Sequence, residues 1–275
     1  MLNFNIHFPT RIRFGRGKIE DLGKEILCYG NKVLLVYGGG SIKQSGLYDQ
    51  ILQIFKDNNI THVELSGVQP NPRISSVRQG VELCKKHEVH LVLAVGGGST
   101  IDCAKIIAAG AGYDGDAWDF FTRKAKINFA LPIGTVLTLA ATGSEMNANA
   151  VISNDDTKQK LGTGNPVLIP RFSILDPKYS FTVPPEQTAA GTVDIMSHIF
   201  EQYFSLTPGT YIQDHLAEAM LKTCIYYGPI AIAQPDNYEA RANLMWTGSL
   251  ALNGLLGAGK RTDWATHDIE HEISA

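Results

Sequence analysis

The sequence predicts an α/β sheet domain over residues 1–184, followed by an all-helical domain over residues 185–275. Three observations predict it. Short apolar runs alternate with helical patterns through the first half, the texture of a parallel sheet. Two of those runs end in Gly-Gly-Gly-Ser, at Gly38–Ser41 and Gly96–Ser99. Beyond Val183-Pro184-Pro185 the strand-like runs stop and long helical patterns take over.

Each element has its own signal. Residues 32–37, Lys-Val-Leu-Leu-Val-Tyr, form a short β-rich run. Apolar residues at helical spacing follow over 46–55. Residues 61–65 alternate like a strand, and 76–84 are helical after the loop Gln69-Pro70-Asn71-Pro72. Residues 90–95 are apolar almost throughout, as in a strand buried on both faces, and lead through glycines into a helix over 100–109. Asp155-Asp156 reads as a turn between strands rather than a pair of acid/base carboxylates. In the second half, helices are expected over 188–204, 215–227, 239–252 and 263–275. The last has no Gly, Asn or Pro stop, so the chain is expected to be cut inside the helical domain.

Composition narrows the function classes. The apolar fraction is 44%, the charged fraction 19% and the net charge −3, so no basic footprint for nucleic acid or an anionic membrane is present. The start, Met1-Leu2-Asn3-Phe4-Asn5-Ile6-His7, has no basic region and no long apolar core, and so does not read as a signal peptide. No apolar run is long enough to span a membrane. Cys28, Cys84, Cys103 and Cys224 are scattered, which argues against a disulfide framework or a thiolate metal site and fits a reducing cytoplasm. Each is expected to be a small buried apolar residue.

Glycines let a phosphate approach the backbone closely, and a helix N-terminus adds free N–H groups and a positive dipole end. Gly96-Gly97-Gly98-Ser99 has that context, and so does Gly38-Gly39-Gly40-Ser41. Ser99 and Asp102 also have the spacing of a capping box, which would explain both without a ligand. The usual Gly-x-Gly-x-x-Gly fingerprint is missing. Tyr37 is followed by Gly38, not by the acidic residue that would grip an adenosine ribose. A 2′-phosphate would not be repelled there, and Lys43 is available as a charge partner, which favours NADP over NAD.

Asp194 and His198 stand four residues apart in the apolar run Thr192–Phe200, so both project from one helix face. A carboxylate and an imidazole together suit Zn²⁺ or Fe²⁺, and a third candidate lies in Trp264–His271. The plainer alternative is a buried, hydrogen-bonded Asp–His pair. His7, His62, His87, His90 and His215 belong to no constellation and are expected at the surface or in simple hydrogen bonds. Lys105 reads as a helix-surface lysine.

Taken together, Tyr37–Ser41, Gly96–Lys105, Ala141–Asn147, Leu175-Asp176-Pro177, the Asp194/His198 helix and Gly257–His271 resemble the iron-containing (group III) alcohol dehydrogenase family, and its butanol dehydrogenase-like branch in particular. The stretches cover nearly the whole chain in the right order. The resemblance implies a Rossmann-like dinucleotide-binding domain followed by a helical metal-binding domain, the architecture shared with dehydroquinate synthase. It implies that Gly96, Gly97, Gly98 and Ser99 hold the pyrophosphate and that Thr138, Leu139, Thr142 and Ser144 line the phosphate and nicotinamide side. Lys160 falls where family members place a lysine near the cofactor. Asp194, His198 and His267 match three of four metal ligands, for Fe²⁺ or Zn²⁺. His271 matches a family histidine near the metal with a proton-relay or substrate-orienting role. The fourth ligand, a histidine in a His-Gly pair, would lie beyond Ala275; three ligands still suffice for a catalytic zinc geometry.

The expected activity is hydride transfer between NADP(H), or less readily NAD(H), and a small primary alcohol or aldehyde, in a cytoplasmic enzyme that self-associates as a homodimer. Two rivals stand beside it. One is a lyase like dehydroquinate synthase, which would need basic groups near Asp194 that this stretch lacks. The other is a nucleotide-binding fragment without catalysis.

Overall fold

The computed structural model describes residues 1–274. In chain order it forms β1 (Arg11–Phe14), α1 (Leu22–Leu27), β2 (Lys32–Tyr37), α2 (Ser41–Gln44), α3 (Leu47–Asp57), β3 (Thr61–Leu65), α4 (Ile74–His87), β4 (Leu91–Gly96), α5 (Gly98–Gly110) and β5 (Ile133–Leu137). A hairpin of β6 (Asn149–Asn154) and β7 (Gln159–Gly164) precedes β8 (Phe172–Leu175), with the turn at Asp155-Asp156 where expected. Then come α6 (Pro185–Tyr203), α7 (Tyr211–Ala233), α8 (Tyr238–Ala251) and α9 (Ala265–Ile273).

Six strands make one all-parallel sheet in the order β1-β8-β5-β4-β2-β3. Strand β4 is fully buried because both its faces are covered. Leu91, Leu93 and Val95 join the core under α1 and α3, while Val92 and Ala94 join the core under α4 and α5. That period of two is the ordinary alternation of strand side chains. The chain leaves β3 on the outside of β2 and crosses back to β4 on its other side. Strand order therefore reverses between β2 and β4, whose last pair is Tyr37↔Val95. Both glycine turns open at the carboxyl ends of these two strands, the switch point where open α/β sheets bind ligands.

The strands at 11–14, 133–137 and 172–175 carry weaker sequence signals, for physical reasons. Strand β1 alternates arginines, and Arg11 and Arg13 are held by the buried carboxylate of Glu25 at 2.6 and 2.8 Å. Strand β5 is interrupted by Gly134, whose missing side chain makes room for the ring of Phe172 on β8.

A third core joins the helices. Ile195 and Ile199 of α6 pack with Ala217, Met220 and Cys224 of α7 and with Ala240, Leu244 and Ala251 of α8. Proline at the first turn starts α6, where its missing N–H costs nothing. Among the described residues no helix is long and apolar enough to cross a membrane. One cysteine differs from expectation: Cys28, just past the end of the short helix α1, is exposed. The other three are buried, and burial pushes their thiols up to about 12.

Candidate active site

Helix α6 presents Asp194 and His198 one turn apart, beside the apolar stripe of Ile195 and Ile199 that anchors it. Asp194 Oδ1 lies 3.8 Å from His198 Nε2, beyond hydrogen-bond distance, so the plain Asp–His hydrogen bond is not made. The first turn of α9 brings in His267. One ligand atom from each of the three lies within 4.8 Å of the others. His198 is 4% exposed and its Nδ1 has no hydrogen-bond partner.

The protonation states suit a cation. Burial, and then His267, push His198 down to about 3, so its ring is neutral. Burial raises Asp194 to about 6, which leaves it a carboxylate at neutral pH. A buried neutral ring whose Nε2 stands beside a carboxylate and a second imidazole has the donor set of a divalent N/O site. Glu201, one turn further along α6, accepts from the His267 backbone N–H at 3.2 Å and lies 3.1 Å from its Nδ1. Burial works against the Glu201 carboxylate, but these bonds from His267 hold it below its ordinary value. A carboxylate on Nδ1 fixes the ring and leaves Nε2 for a metal, an arrangement common around ligating histidines.

A cleft of about 880 Å³ runs from the triad to the first turn of α5. Gly98, Ser99, Asp102, Thr142, Ser144 and Lys160 line it together with Asp194, His198, His267 and His271. The N-cap of α5 is Gly97, and no side chain caps the helix. The capping box expected of Ser99 and Asp102 is thus not formed. Asp102 is drawn away by longer-range partners, accepting from Ser144 Oγ at 2.5 Å and from the Val151 backbone N–H at 2.9 Å. The uncapped N–H groups of the first turn remain available to an anion. Gly98 must lack a side chain there, since an added Cβ would stand 2.3 Å from Thr142 Oγ1.

The other sequence-predicted residues fall around this cleft. Gly96 accepts from the Thr138 backbone N–H at 3.1 Å, and Leu139 covers Gly97. Gly38, Gly39, Gly40 and Ser41 lie at the neighbouring strand end and do not line the cleft itself. Gly40, at φ 124°, needs to be glycine, while Gly39 faces open space. Glu64 on β3, a carboxylate near the end of β2, is occupied by the hydroxyls of Tyr37 and Tyr48, each at 2.7 Å. Lys160 Nζ reaches across from β7 to Glu270 at 2.8 Å and Ser274 at 2.8 Å. His271 lies at the rim with its Nε2 3.9 Å from Glu270, and burial lowers its pKa below the usual imidazole value.

Two features escaped the sequence reading. Glu201 stood in plain view one turn after His198, and only the fold shows which histidine it serves. Lys105 is not a surface lysine: it is fully buried. The sequence offered only a partial signal: from Cys103 to Gly110 the helix is apolar apart from Lys105, while Ser99 and Asp102 at i−6 and i−3 still suggested a wet stripe. A second groove, of about 1080 Å³, lies along α6 and is lined by Val193, Met196, Phe200, Phe204 and Leu206, with none of the three metal-ligand candidates.

A family model described as iron-containing alcohol dehydrogenase matches residues 9–177, and one for the C-terminal part of the Fe-containing alcohol dehydrogenase family matches residues 188–275. NADH-dependent butanol dehydrogenase A of Clostridium acetobutylicum is 59% identical over 275 residues, covering 100% of this chain and 71% of its own length. NADPH-dependent aldehyde reductase YqhD of Escherichia coli is 46% identical over 278 residues, covering 100% of this chain and 71% of its own. The crystal structure of NADH-dependent butanol dehydrogenase A from Thermotoga maritima superposes with a TM-score of 0.98 at 51% identity, covering 100% of this chain and 69% of that one.

Proposed function

We propose that this chain, which belongs to the iron-containing alcohol dehydrogenase family, holds one Fe²⁺ or Zn²⁺ between Asp194, His198 and His267 and lays a nicotinamide dinucleotide along the cleft from there to Gly97. It is an NAD(P)-dependent oxidoreductase of alcohols and aldehydes. One observation carries the site assignment: the triad and the uncapped helix N-terminus open onto the same cleft.

When bound, the metal supplies Lewis acidity at the alcohol or carbonyl oxygen and the nicotinamide gives or takes the hydride. The chain supplies the rest. The N–H groups of Gly98 and Ser99 receive the pyrophosphate at the positive end of α5. Thr142, Ser144 and Asp102 line the path towards the triad, with Lys160 on the opposite wall. Leu252 and Trp264 shield that end from water, which strengthens every charge interaction within it. Glu201 keeps the His267 ring in place. His271, neutral and at the rim of the cleft, takes the substrate proton and passes it to solvent.

A small primary alcohol or aldehyde such as butanol or butanal is the substrate class, by the relatives' names. The relatives at 59% and 58% identity are named NADH-dependent, and the one at 46% NADPH-dependent. We assign NADP(H) the better fit, on the missing carboxylate after Tyr37 and on the engagement of each Glu64 oxygen by a tyrosine hydroxyl.

The test is oxidation of NADPH and of NADH with butanal by the chain loaded with Fe²⁺ or Zn²⁺, beside Asp194→Ala. Metal-dependent turnover that the variant loses supports the site, and kcat/KM for the two cofactors decides the preference. Turnover that survives Asp194→Ala would sink the metal assignment.

A further inference from the structure

The cofactor wall has a buried cation behind it. A lysine ammonium is stable in an apolar interior only when its three N–H bonds find acceptors. Lys105 Nζ finds all three outside its own helix: Ser144 Oγ at 2.7 Å, Asn147 Oδ1 at 3.0 Å and the Asn149 carbonyl at 2.7 Å. Each acceptor passes the constraint on. Ser144 Oγ donates in turn to Asp102 at 2.5 Å, so the hydroxyl bridges the ammonium and a carboxylate on the same helix. Asn147 Nδ2 donates to the Thr142 carbonyl at 3.2 Å, and its Oδ1 also accepts the Asn149 backbone N–H at 3.0 Å.

The segment tied down in this way runs from Thr142 to Val151, the path out of β5 into β6. Thr142, Ser144, Asn147 and Asn149 line the cleft, whereas Lys105 does not. Next to Ser144, the buried Glu145 accepts from Ser249 of α8, so the same segment is fastened to the helical part. A hydrophobic residue at 105 would fill the same core without any of these bonds. The ammonium therefore serves placement rather than burial.

We infer that Lys105 is a positioning residue for cofactor binding: its ammonium holds the Thr142–Val151 segment against the first turn of α5 and so sets the wall on which the dinucleotide lies. The inference rests on the reading that this cleft takes the dinucleotide. Burial lowers the ammonium to about 8, so it is still charged near neutral pH, when the wall must be in place.

The experiment measures the Kd for NADPH and NADH by nucleotide fluorescence, the Kd for Zn²⁺ by chelator competition and thermal stability. Lys105→Met, which keeps the apolar stem, is compared with Ile106→Val, a core trim on the same helix. The expected result is a rise in dinucleotide Kd of about tenfold or more in Lys105→Met, with Zn²⁺ affinity within about twofold of the parent, while Ile106→Val loses stability without losing dinucleotide affinity. A folded Lys105→Met that binds dinucleotide as the parent does overturns the inference. So does a parallel loss of Zn²⁺ affinity, since that means general loosening. If Lys105→Met does not fold, Asn147→Ala removes one acceptor and reads the same split, a rise in dinucleotide Kd of about threefold supporting the inference and an unchanged Kd overturning it. A parent chain that binds Zn²⁺ but neither dinucleotide overturns the cofactor reading itself, and this inference with it.

Discussion

The imidazoles of His198 and His267 stack with ring centroids 4.7 Å apart and planes 19° from parallel. They come from helices α6 and α9, far apart in sequence. Two imidazoles at that distance cannot both be cationic without repulsion, and His198 is buried and held neutral. The stack therefore brings a lone pair of His198 close to the second ring and beside Asp194. The divalent cation proposed above would turn this crowding of acceptors into a favourable arrangement.

Glu201 governs the second ring of that stack. Glu201→Gln keeps the side-chain shape and removes the charge that fixes His267 Nδ1. Zn²⁺ affinity should fall about 10- to 100-fold, the usual cost of losing an outer-sphere carboxylate, with the helix intact. Competition against a chromogenic chelator measures it, and circular dichroism checks the fold. An unchanged affinity would mean that His267 is placed by packing alone.

The two glycine turns make opposite predictions. In Gly98→Ala the new Cβ meets Thr142 Oγ1 at 2.3 Å, so the turn must shift, at a cost of about 1–3 kcal/mol of stability as well as cofactor affinity. In Gly39→Ala the Cβ has nothing within 4 Å, so stability should stay within about 0.5 kcal/mol of the parent. Only a ligand would sense that methyl. A raised NADPH Kd in Gly39→Ala at unchanged melting temperature would place the adenosine end of the cofactor at this turn, and an unchanged Kd would place it elsewhere.

The residues proposed for the site were legible in the sequence wherever one broke its local pattern. Asp194 and His198 stood out as polar residues at helical spacing in an apolar run, and the fold explains the run by the packing of Ile195 and Ile199. Strand β4 was legible because both faces are buried and the whole run is apolar. The stretch Trp264–His271 offered a third candidate from its own residues, but only the resemblance singled out His267 within it, since nothing in its own helix points to α6. The Ser99–Asp102 capping box was a sound local reading overruled at long range: Ser144 and Val151 take the carboxylate that the cap would have used. Lys105 was misread for the same reason. Its acceptors lie about 40 residues downstream, so local spacing, which sets Lys105 in line with Ser99 and Asp102, could not say that this stripe is buried or what receives the charge.

The cysteines should react in two classes. Cys84, Cys103 and Cys224 are buried, with thiols raised to about 12, and Cys28 is exposed. Only the thiolate attacks a disulfide reagent, so one equivalent of Ellman's reagent should be consumed quickly by the native chain and four in guanidinium. Cys28→Ser should abolish the fast phase. More than one fast equivalent in the native chain would show that the helical or sheet core opens on the labelling time scale.

The titration of Lys105 separates affinity from stability. Its ammonium is lowered from 10.5 to about 8, chiefly by burial, with Asp102 and Glu145 opposing the shift. Those two are the charged groups that face it. Strands β4, β5 and β6 carry no ionisable side chain, Cys84 of α4 stays a thiol, and Tyr37 of β2 is turned to Glu64. Between about pH 8 and 10.5 the unfolded chain holds a proton that the folded chain has released. Stability contributed by this group therefore rises with pH across that window and is lost as pH falls through about 8. Dinucleotide affinity should move the other way, because the neutral amine has one donor fewer for Ser144, Asn147 and the Asn149 carbonyl. Measuring NADPH Kd and denaturant midpoint together from pH 7 to 10 reads both. The parent should bind more weakly while unfolding later, and Lys105→Met should show neither trend. Affinity and stability falling together in the parent would mean that another group controls the alkaline limb.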